Sequence, residues 1–171
     1  MSVNRHQKHL LVLPEDKANR QIANGFLLEL SINSRAVQVL QFAGGWGNVI
    51  QEFLHDYVPT MRKYPQTMIA LLIDFDDHKP NFSSYEDRLN YIKSQIPDDL
   101  EEKVFILGSR TSPEKLKTAM NNKSFEAIGE SLAKDCAENT NETWGHDYLK
   151  HNEKELKRMI LSVKPFLFTD Y

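Results

Sequence analysis

The sequence contains little that would place the protein in a membrane or in an oxidising compartment. Its one cysteine, Cys136, cannot form an internal disulfide bond, and we expect it to be buried in the core. No apolar run approaches the roughly 20 residues that are needed to span a bilayer. The first residues, MSVNRHQKH, also lack the apolar segment of a secretory signal peptide. We therefore expect a cytoplasmic protein without a membrane partner.

The net charge is also small, because 24 acidic residues are balanced by 21 basic ones. This composition gives no electrostatic sign of tight, non-specific binding to nucleic acid, although a local basic patch can exist within a near-neutral total. Hydrophobic residues make up 40% of the 171 residues and charged residues 26%. These values are typical of a folded globular chain, so we expect residues 1–171 to form a single domain.

Apolar runs that end in turn residues alternate with segments of helical period. The alternation predicts an α/β protein, and the uninterrupted apolar run TMIALLI predicts a central strand that helices cover on both faces. We therefore expect a three-layer α/β/α Rossmann-like fold with a mostly parallel four-stranded sheet and added C-terminal helices. The predicted strands are residues 9–13, 36–42, 67–73 and 103–107.

Helices are predicted between and after these strands from their apolar stripes and their capping residues. The first covers about Asn19 to Leu30, and two late helices cover Phe125 to about Ala137 and Asn152 to about Val163. The polar stretch between the last two is predicted to be a surface loop or a mobile segment, anchored to the core by Trp144 with Tyr148. The predicted helix caps are Asn48, Ser83 with Glu86, Ser112 before Pro113, and Asn152 with Glu155.

The third predicted strand runs into a cluster of acidic residues in ALLIDFDDHKP, residues 70–80. If the strand geometry persists, Asp74 and Asp76 leave the same face of the sheet, whereas Asp77 points to the other face. Such a pair suits Mg²⁺, which prefers oxygen ligands and usually takes one or two carboxylates. The ordinary alternative is a set of solvent-facing turn residues or helix caps, and His78 is more simply a surface residue.

A further carboxylate follows the first predicted strand. Glu15 lies near the aspartates if strands one and three are neighbours, because the carboxyl ends of parallel strands share one edge of the sheet. Carboxylates around a divalent metal form a phosphoryl-transfer arrangement, in which a carboxylate can also handle protons.

These landmarks together resemble the Toprim domain of topoisomerases, primases, recombination proteins and the overcoming-lysogenization-defect (OLD) nucleases. LLVLPEDKANRQI is similar to the strand and acidic turn of that family, with Glu15 at the catalytic position. VLQFAGGWGNVIQEFL resembles its glycine-bearing segment, and ALLIDFDD matches its Asp-x-Asp motif through Asp74 and Asp76. The resemblance covers residues 9–110, which would form the Toprim-like core, with residues 111–171 as a C-terminal helical extension.

The resemblance implies a nuclease or phosphoesterase that uses Mg²⁺ or Mn²⁺ and acts on nucleic acid. Asp74 and Asp76 would hold the metal, Glu15 would act as general acid or base, and Glu114 would be a possible additional acid. One departure from the family is Asp16, which stands where glycine usually follows the glutamate and adds bulk and negative charge. The alternative is therefore an inactive Toprim-fold interaction or regulatory module. OLD nucleases carry an ATPase, and because this chain has no P-loop, an ATPase would be a separate subunit.

Glycines and basic residues at the same predicted edge are candidates for substrate binding. Trp46, within the glycine turn, either stacks on a base or covers the edge of the sheet. The basic candidates have solvated surface charge as their ordinary alternative. A small-molecule binder that uses GGWG for phosphate ranks last, because these glycines do not match GxGxxG. The candidate substrate-binding residues are Gly44, Gly45, Gly47, Lys17, Arg20 and Arg110, and Lys79 is a further basic residue near the aspartates.

Overall fold

A computed structural model describes residues 2–76 and 85–169, and its centre is a parallel four-stranded sheet. The order across the sheet is β2-β1-β3-β4. The predicted fold class is confirmed, and three of the four predicted strands match to within a residue at each end. The strands are β1 (His9–Pro14), β2 (Val37–Val39), β3 (Thr67–Leu72) and β4 (Val104–Leu107).

Helices follow every strand, and none in the described part of the chain is both long and apolar enough to cross a membrane. A π-helical stretch, Phe53–Tyr57, joins the second helix to the third, and short 3₁₀ turns lie at Asp98–Lys103 and Lys150–Asn152. The α-helices are α1 (Lys17–Phe26), α2 (Trp46–Glu52), α3 (Val58–Lys63), α4 (Tyr85–Gln95), α5 (Pro113–Ala119), α6 (Phe125–Glu138) and α7 (Glu153–Leu167).

The sheet separates two apolar cores, which explains why its central strands are continuously apolar. On β1, Leu10 and Val12 pack with α1, α5, α6 and α7, whereas Leu11 and Leu13 pack with α2, α3 and α4. Helix α1 connects β1 to β2 on one face of the sheet, and α4 connects β3 to β4 on the other face. The carboxyl ends of β1 and β3 therefore border the topological switch point, where open α/β sheets bind their ligands.

Helices α1 and α6 touch through glycines. A Cβ atom at Gly25 would lie 2.0 Å from the backbone oxygen of Glu126, and one at Gly129 would lie 1.8 Å from that of Ile22. Both distances are far below van der Waals contact, so only glycine permits this approach. The contact joins the first helix of the chain to a helix that begins about a hundred residues later.

Two predicted helix boundaries near the N-terminus are wrong. Helix α1 ends at Phe26, so Leu30, expected on its apolar face, is 88% exposed instead. Helix α2 begins at Trp46, so Asn48 lies inside the helix and is not its N-cap. The Asn48 side-chain amide instead donates to the carbonyls of Ala43 (3.3 Å) and Gly44 (3.0 Å), which ties the helix back to the glycine turn.

Near the C-terminus, the predicted cap of α5 is confirmed, and that of α7 is confirmed in position but not in its hydrogen bond. Ser112 caps α5 by accepting the amide of Lys115. Asn152 is the N-cap residue of α7, but its side chain makes no capping hydrogen bond and instead exchanges hydrogen bonds with the backbone of Gly108. Glu155 accepts the amide of Ile106 at 3.0 Å instead of reaching back to residue 152. Both side chains therefore join α7 to β4. The Ser83 cap lies outside the described residues.

The polar stretch between α6 and α7 is organised by a buried aspartate. The Asp135 carboxylate accepts the amides of Thr143 (2.7 Å) and Trp144 (3.0 Å) and the hydroxyl of Thr140 (2.7 Å). Trp144 is buried and donates its indole N–H to the carbonyl of Leu132 at 3.0 Å. The expected anchoring of this stretch by Trp144 is thus confirmed, as is the burial of Cys136.

The close helix contact predicts that Gly129→Ala lowers stability, although alanine usually favours a helix interior. The added methyl group meets a backbone carbonyl that can move only with α1, so we expect a loss of about 2 kcal/mol or more in the free energy of unfolding. Urea denaturation measures this change in the free energy of unfolding. Gly47→Ala is the matched control, since a Cβ atom there meets nothing within 4 Å, and a gain of about 0.5–1 kcal/mol is expected. An unchanged midpoint for Gly129→Ala would contradict the contact.

Candidate functional site

The carboxyl ends of β1 and β3 lie side by side, as the metal-site hypothesis requires. Pro14 pairs with Leu72, and the amide of Glu15 donates to the Leu72 carbonyl at 2.9 Å. Glu15 therefore leaves β1 next to the point where the chain continues from β3 towards Asp74. The expected adjacency of strands one and three is confirmed.

The extended geometry of β3 continues beyond the strand. The amide of Ile73 donates to Leu107 at 2.9 Å, and that of Phe75 donates to Ser109 at 2.8 Å. Ile73 and Phe75 both pack into the core on the α4 side, so Asp74, which alternates with them, faces the α1 side. Gly108 permits this pairing, since a Cβ atom there would lie 1.7 Å from the carbonyl oxygen of Ile73.

The side chains of Glu15 and Asp74 meet in a buried hydrogen-bond network. Glu15 Oε2 accepts the backbone amide of Asp74 at 2.7 Å. Asp74 Oδ1 accepts the side-chain amide of Asn19, on α1, at 3.1 Å. Glu15 is 6% exposed and Asp74 is 7% exposed. The structure thus brings together the predicted general acid or base and one of the two predicted metal ligands.

The pKa of Asp74 is raised to about 8, mainly by burial and next by repulsion from the Glu15 carboxylate. The hydrogen bond from the Asn19 amide lowers this pKa, and Asp16 raises it. Two causes of the shift, burial and like charge, both disfavour a second negative charge at this place. The site can relieve this strain by holding either a proton or a cation.

Asp16, the departure from the Toprim pattern, has a local structural role. Its side chain caps α1 by accepting the amide of Asn19 at 2.8 Å. An aspartate at the N-terminus of a helix is favourable for both its hydrogen bond and its charge. Asp16 therefore adds negative charge to the site and at the same time positions Asn19, which contacts Asp74.

Arg88, which sequence reasoning missed, fixes the backbone of the acidic segment. Its guanidinium donates from Nη1 to the carbonyl of Asp74 (2.8 Å) and from Nη2 to that of Asp76 (3.1 Å). The side chain is only 4% exposed and lies against the rings of Trp46 and Phe75. Helical spacing offered a signal, since Arg88 lies on the same stripe of α4 as the buried Ile92.

The glycine turn packs against the acidic turn through its backbone. Gly44 and Gly45 have φ values of 87° and 129°, in the region that favours glycine. Their amides donate to the carbonyl of Glu15 at 2.8 Å and 3.2 Å. Trp46 is half-buried and meets the ring of Tyr91, on α4, edge-on at 6.1 Å.

The other predicted site residues lie around this centre. Asp76 is half-buried, and the Arg20 guanidinium donates from Nε to the carbonyl of Leu40 at 3.2 Å. The Arg110 guanidinium lies 5.1 Å from the centre of the Tyr85 ring, and Glu114 is exposed in the first turn of α5. Lys17 and Gly47 are exposed. Asp77, His78 and Lys79 lie outside the described residues.

The donor set at the switch point fits magnesium better than a metal that needs a full protein cage. Within residues 2–76 and 85–169, no three histidine, cysteine, aspartate or glutamate side chains form a group that could hold a metal ion. Magnesium needs fewer, because it usually binds one or two carboxylates and completes its octahedron with water and substrate phosphate. In the metal-site hypothesis Asp74 would be one such ligand, and Glu15 lies beside it as the group that would handle protons.

Comparison of the chain with family models, curated proteins and solved structures gave no match.

The raised pKa of Asp74 predicts how stability depends on pH in a metal-free buffer. The unfolded chain loses this proton near pH 4, whereas the folded chain keeps it until about pH 8. Between these values the folded state binds more protons, so the free energy of unfolding falls as pH rises. We expect Asp74 to contribute on the order of a few kcal/mol to this fall.

Urea denaturation at pH 5 and pH 8 with EDTA tests this prediction. In Asp74→Asn the free energy of unfolding should lose the part of its pH dependence that is due to Asp74. Asp98→Asn, at an exposed position, is the control and should show the same pH dependence as the wild type. Equal changes between the two pH values in the wild type and in Asp74→Asn would show that Asp74 has an ordinary pKa.

Proposed function

We propose that the protein is a Toprim-like phosphoesterase or nuclease that uses Mg²⁺ or Mn²⁺ to cleave nucleic-acid phosphodiesters. The observation that supports it best is the meeting of two buried carboxylates, Glu15 and Asp74, at the switch point of the sheet. Open α/β folds bind ligands at this place, and carboxylates are the ligands that magnesium prefers. The sequence resemblance to OLD nucleases points to the same residues.

In this proposal each acidic residue has a distinct role. Asp74 and Asp76 hold the metal, which offsets negative charge on the substrate phosphate when bound. Glu15 takes or gives the proton, and its contact with the Asp74 amide keeps its carboxylate oriented beside the metal ligands. Arg88 positions the backbone of both aspartates, because its guanidinium donates hydrogen bonds to their carbonyls.

The charges of the two buried carboxylates favour the binding of a cation between them. Two neighbouring buried carboxylates cost free energy when both are ionised, and Asp74 therefore keeps its proton near neutral pH. Asp74 would give up that proton in holding a divalent cation, whose charge would stabilise the ionised pair. Metal binding should thus release protons, which distinguishes a specific site at Asp74 from loose binding at surface carboxylates.

Basic residues near the same edge would contact the nucleic-acid backbone. Lys17 and Arg20 lie on α1 close to Glu15, and Arg110 follows β4. Phosphate contacts of this kind position the strand without reading its sequence.

The second candidate is a catalytically inactive Toprim-fold interaction or regulatory module that works with a separate ATPase subunit. The glycine turn favours it, since the amides of Gly44 and Gly45 bind the carbonyl of Glu15 rather than pointing at a phosphate. Asp16, with its bulk and charge at the turn, favours it as well.

Calorimetric titration with Mg²⁺ and Mn²⁺ tests the metal site. We expect the wild type to bind and to release protons, seen as a heat that varies with the ionisation enthalpy of the buffer. Asp74→Ala combined with Asp76→Ala should abolish binding. The matched control removes two exposed acids of α6, Glu130→Ala with Glu138→Ala, and should bind as the wild type does. Equal affinity in all three proteins would rule out the proposed metal site.

Cleavage of single- and double-stranded DNA and RNA tests catalysis separately. Glu15→Gln should lower the rate by about 100-fold or more, because it removes the group that handles the proton but keeps a similar shape. Metal binding by the wild type without any cleavage would support the inactive module instead. Glu114→Gln shows whether this exposed acid takes part, since its rate should equal that of the wild type if it only stabilises α5.

A further inference from the structure

A cavity lies between the sheet and the helices on the α1 side, away from the carboxylates. Its volume is about 80 Å³, and side chains of β1, β3, α1, α6 and α7 form its wall together with the indole of Trp144. The wall that these described residues provide is entirely apolar. A cavity of this kind holds no water, because water needs polar partners.

A smaller cavity of about 50 Å³ adjoins the first and makes the space elongated. Leu72, Leu107 and Trp144 line both cavities. At the far end the smaller cavity reaches Asn19 and Asn152, whose side-chain amides already donate to Asp74 and Gly108. The shape therefore suits a narrow chain more than a ring.

The first cavity approaches the surface along α1. Phe26 and Leu27, which line it, are half-buried, whereas most of the wall is fully buried. They are followed by Leu28 and Leu30, which are 57% and 88% exposed. These two leucines follow the end of α1, where the sequence predicted a continuing helix. The half-buried Phe26 and Leu27 are therefore the part of the wall that lies nearest to solvent.

We propose that this cavity binds an unbranched alkyl chain, either as the end of an amphiphile or as a free hydrocarbon. An engineered apolar cavity of about 150 Å³ binds benzene or xenon, so a space of this size suits roughly three to five carbon atoms. Contact with the apolar wall of the first cavity stabilises the bound chain, and that wall selects against polar ligands because it offers them no hydrogen-bond partner. The proposal is independent of the metal site.

Fluorescence quenching by brominated alkyl probes tests the proposal. Trp144 lines the cavity, and Trp46→Phe leaves it as the protein's single tryptophan. The probes are 1-bromopropane and 4-bromobutanoate, whose bromine quenches the indole on contact. We expect saturable quenching, whereas bromide ion in solution should have little effect because Trp144 is buried. Quenching by both probes indicates an amphiphile's chain, and quenching by 1-bromopropane alone indicates a free hydrocarbon.

Ala70→Val in the Trp46→Phe background shows whether binding occurs in the cavity. Ala70 lines the cavity from β3, so two added methyl groups should weaken quenching by about tenfold or more without lowering the melting temperature. Ala137→Val, on α6 outside the cavity, is the control. The probes should quench its fluorescence as strongly as that of the parent.

Three outcomes would overturn the proposal. The first is an absence of saturable quenching by either probe, and the second is equal quenching in Ala70→Val and its parent. The third is a clear fall in the melting temperature of Ala70→Val, because overpacking would show that the space is not there. None of these results bears on the metal titration, so the two proposals fail separately.

Discussion

The arrangement of the site depends on one hydrogen bond, from the backbone amide of Asp74 to the carboxylate of Glu15. It joins the two central strands just beyond their paired residues, at the place where their following helices diverge. An amide–carboxylate bond of this type is charge-assisted, and burial strengthens it. The same contact holds two like charges close together, so the structure that orients the carboxylates also makes the second ionisation costly.

The sheet and the adjacency of Glu15 to Asp74 could be predicted because they depend on local patterns. Continuous apolar runs identify buried parallel strands, and parallel strands bring their carboxyl ends to one edge. Arg88 was not predicted, since its role depends on two backbone carbonyls that the chain brings to it through the fold. The same holds for Asn152, which by sequence suits a helix cap but bonds to Gly108, 44 residues earlier.

The backbone around the site is rigid for reasons that residue types alone do not show. Gly108 lets β4 approach the segment after β3, Arg88 holds its carbonyls, and Asn19 holds the Asp74 side chain. Each contact comes from a different element. Support from several sides keeps the two carboxylates in place, which the proposed catalysis would require.

The close approach of α1 and α6 at Gly25 and Gly129 has a consequence for how the chain acquires its fold. Helix α1 is synthesised about a hundred residues before α6, so its apolar face lacks this partner in the meantime. Contacts between residues so distant in sequence form slowly, and exposed apolar surface in the meantime favours aggregation and chaperone binding. A nascent chain that stops short of α6 would therefore keep that face of α1 exposed.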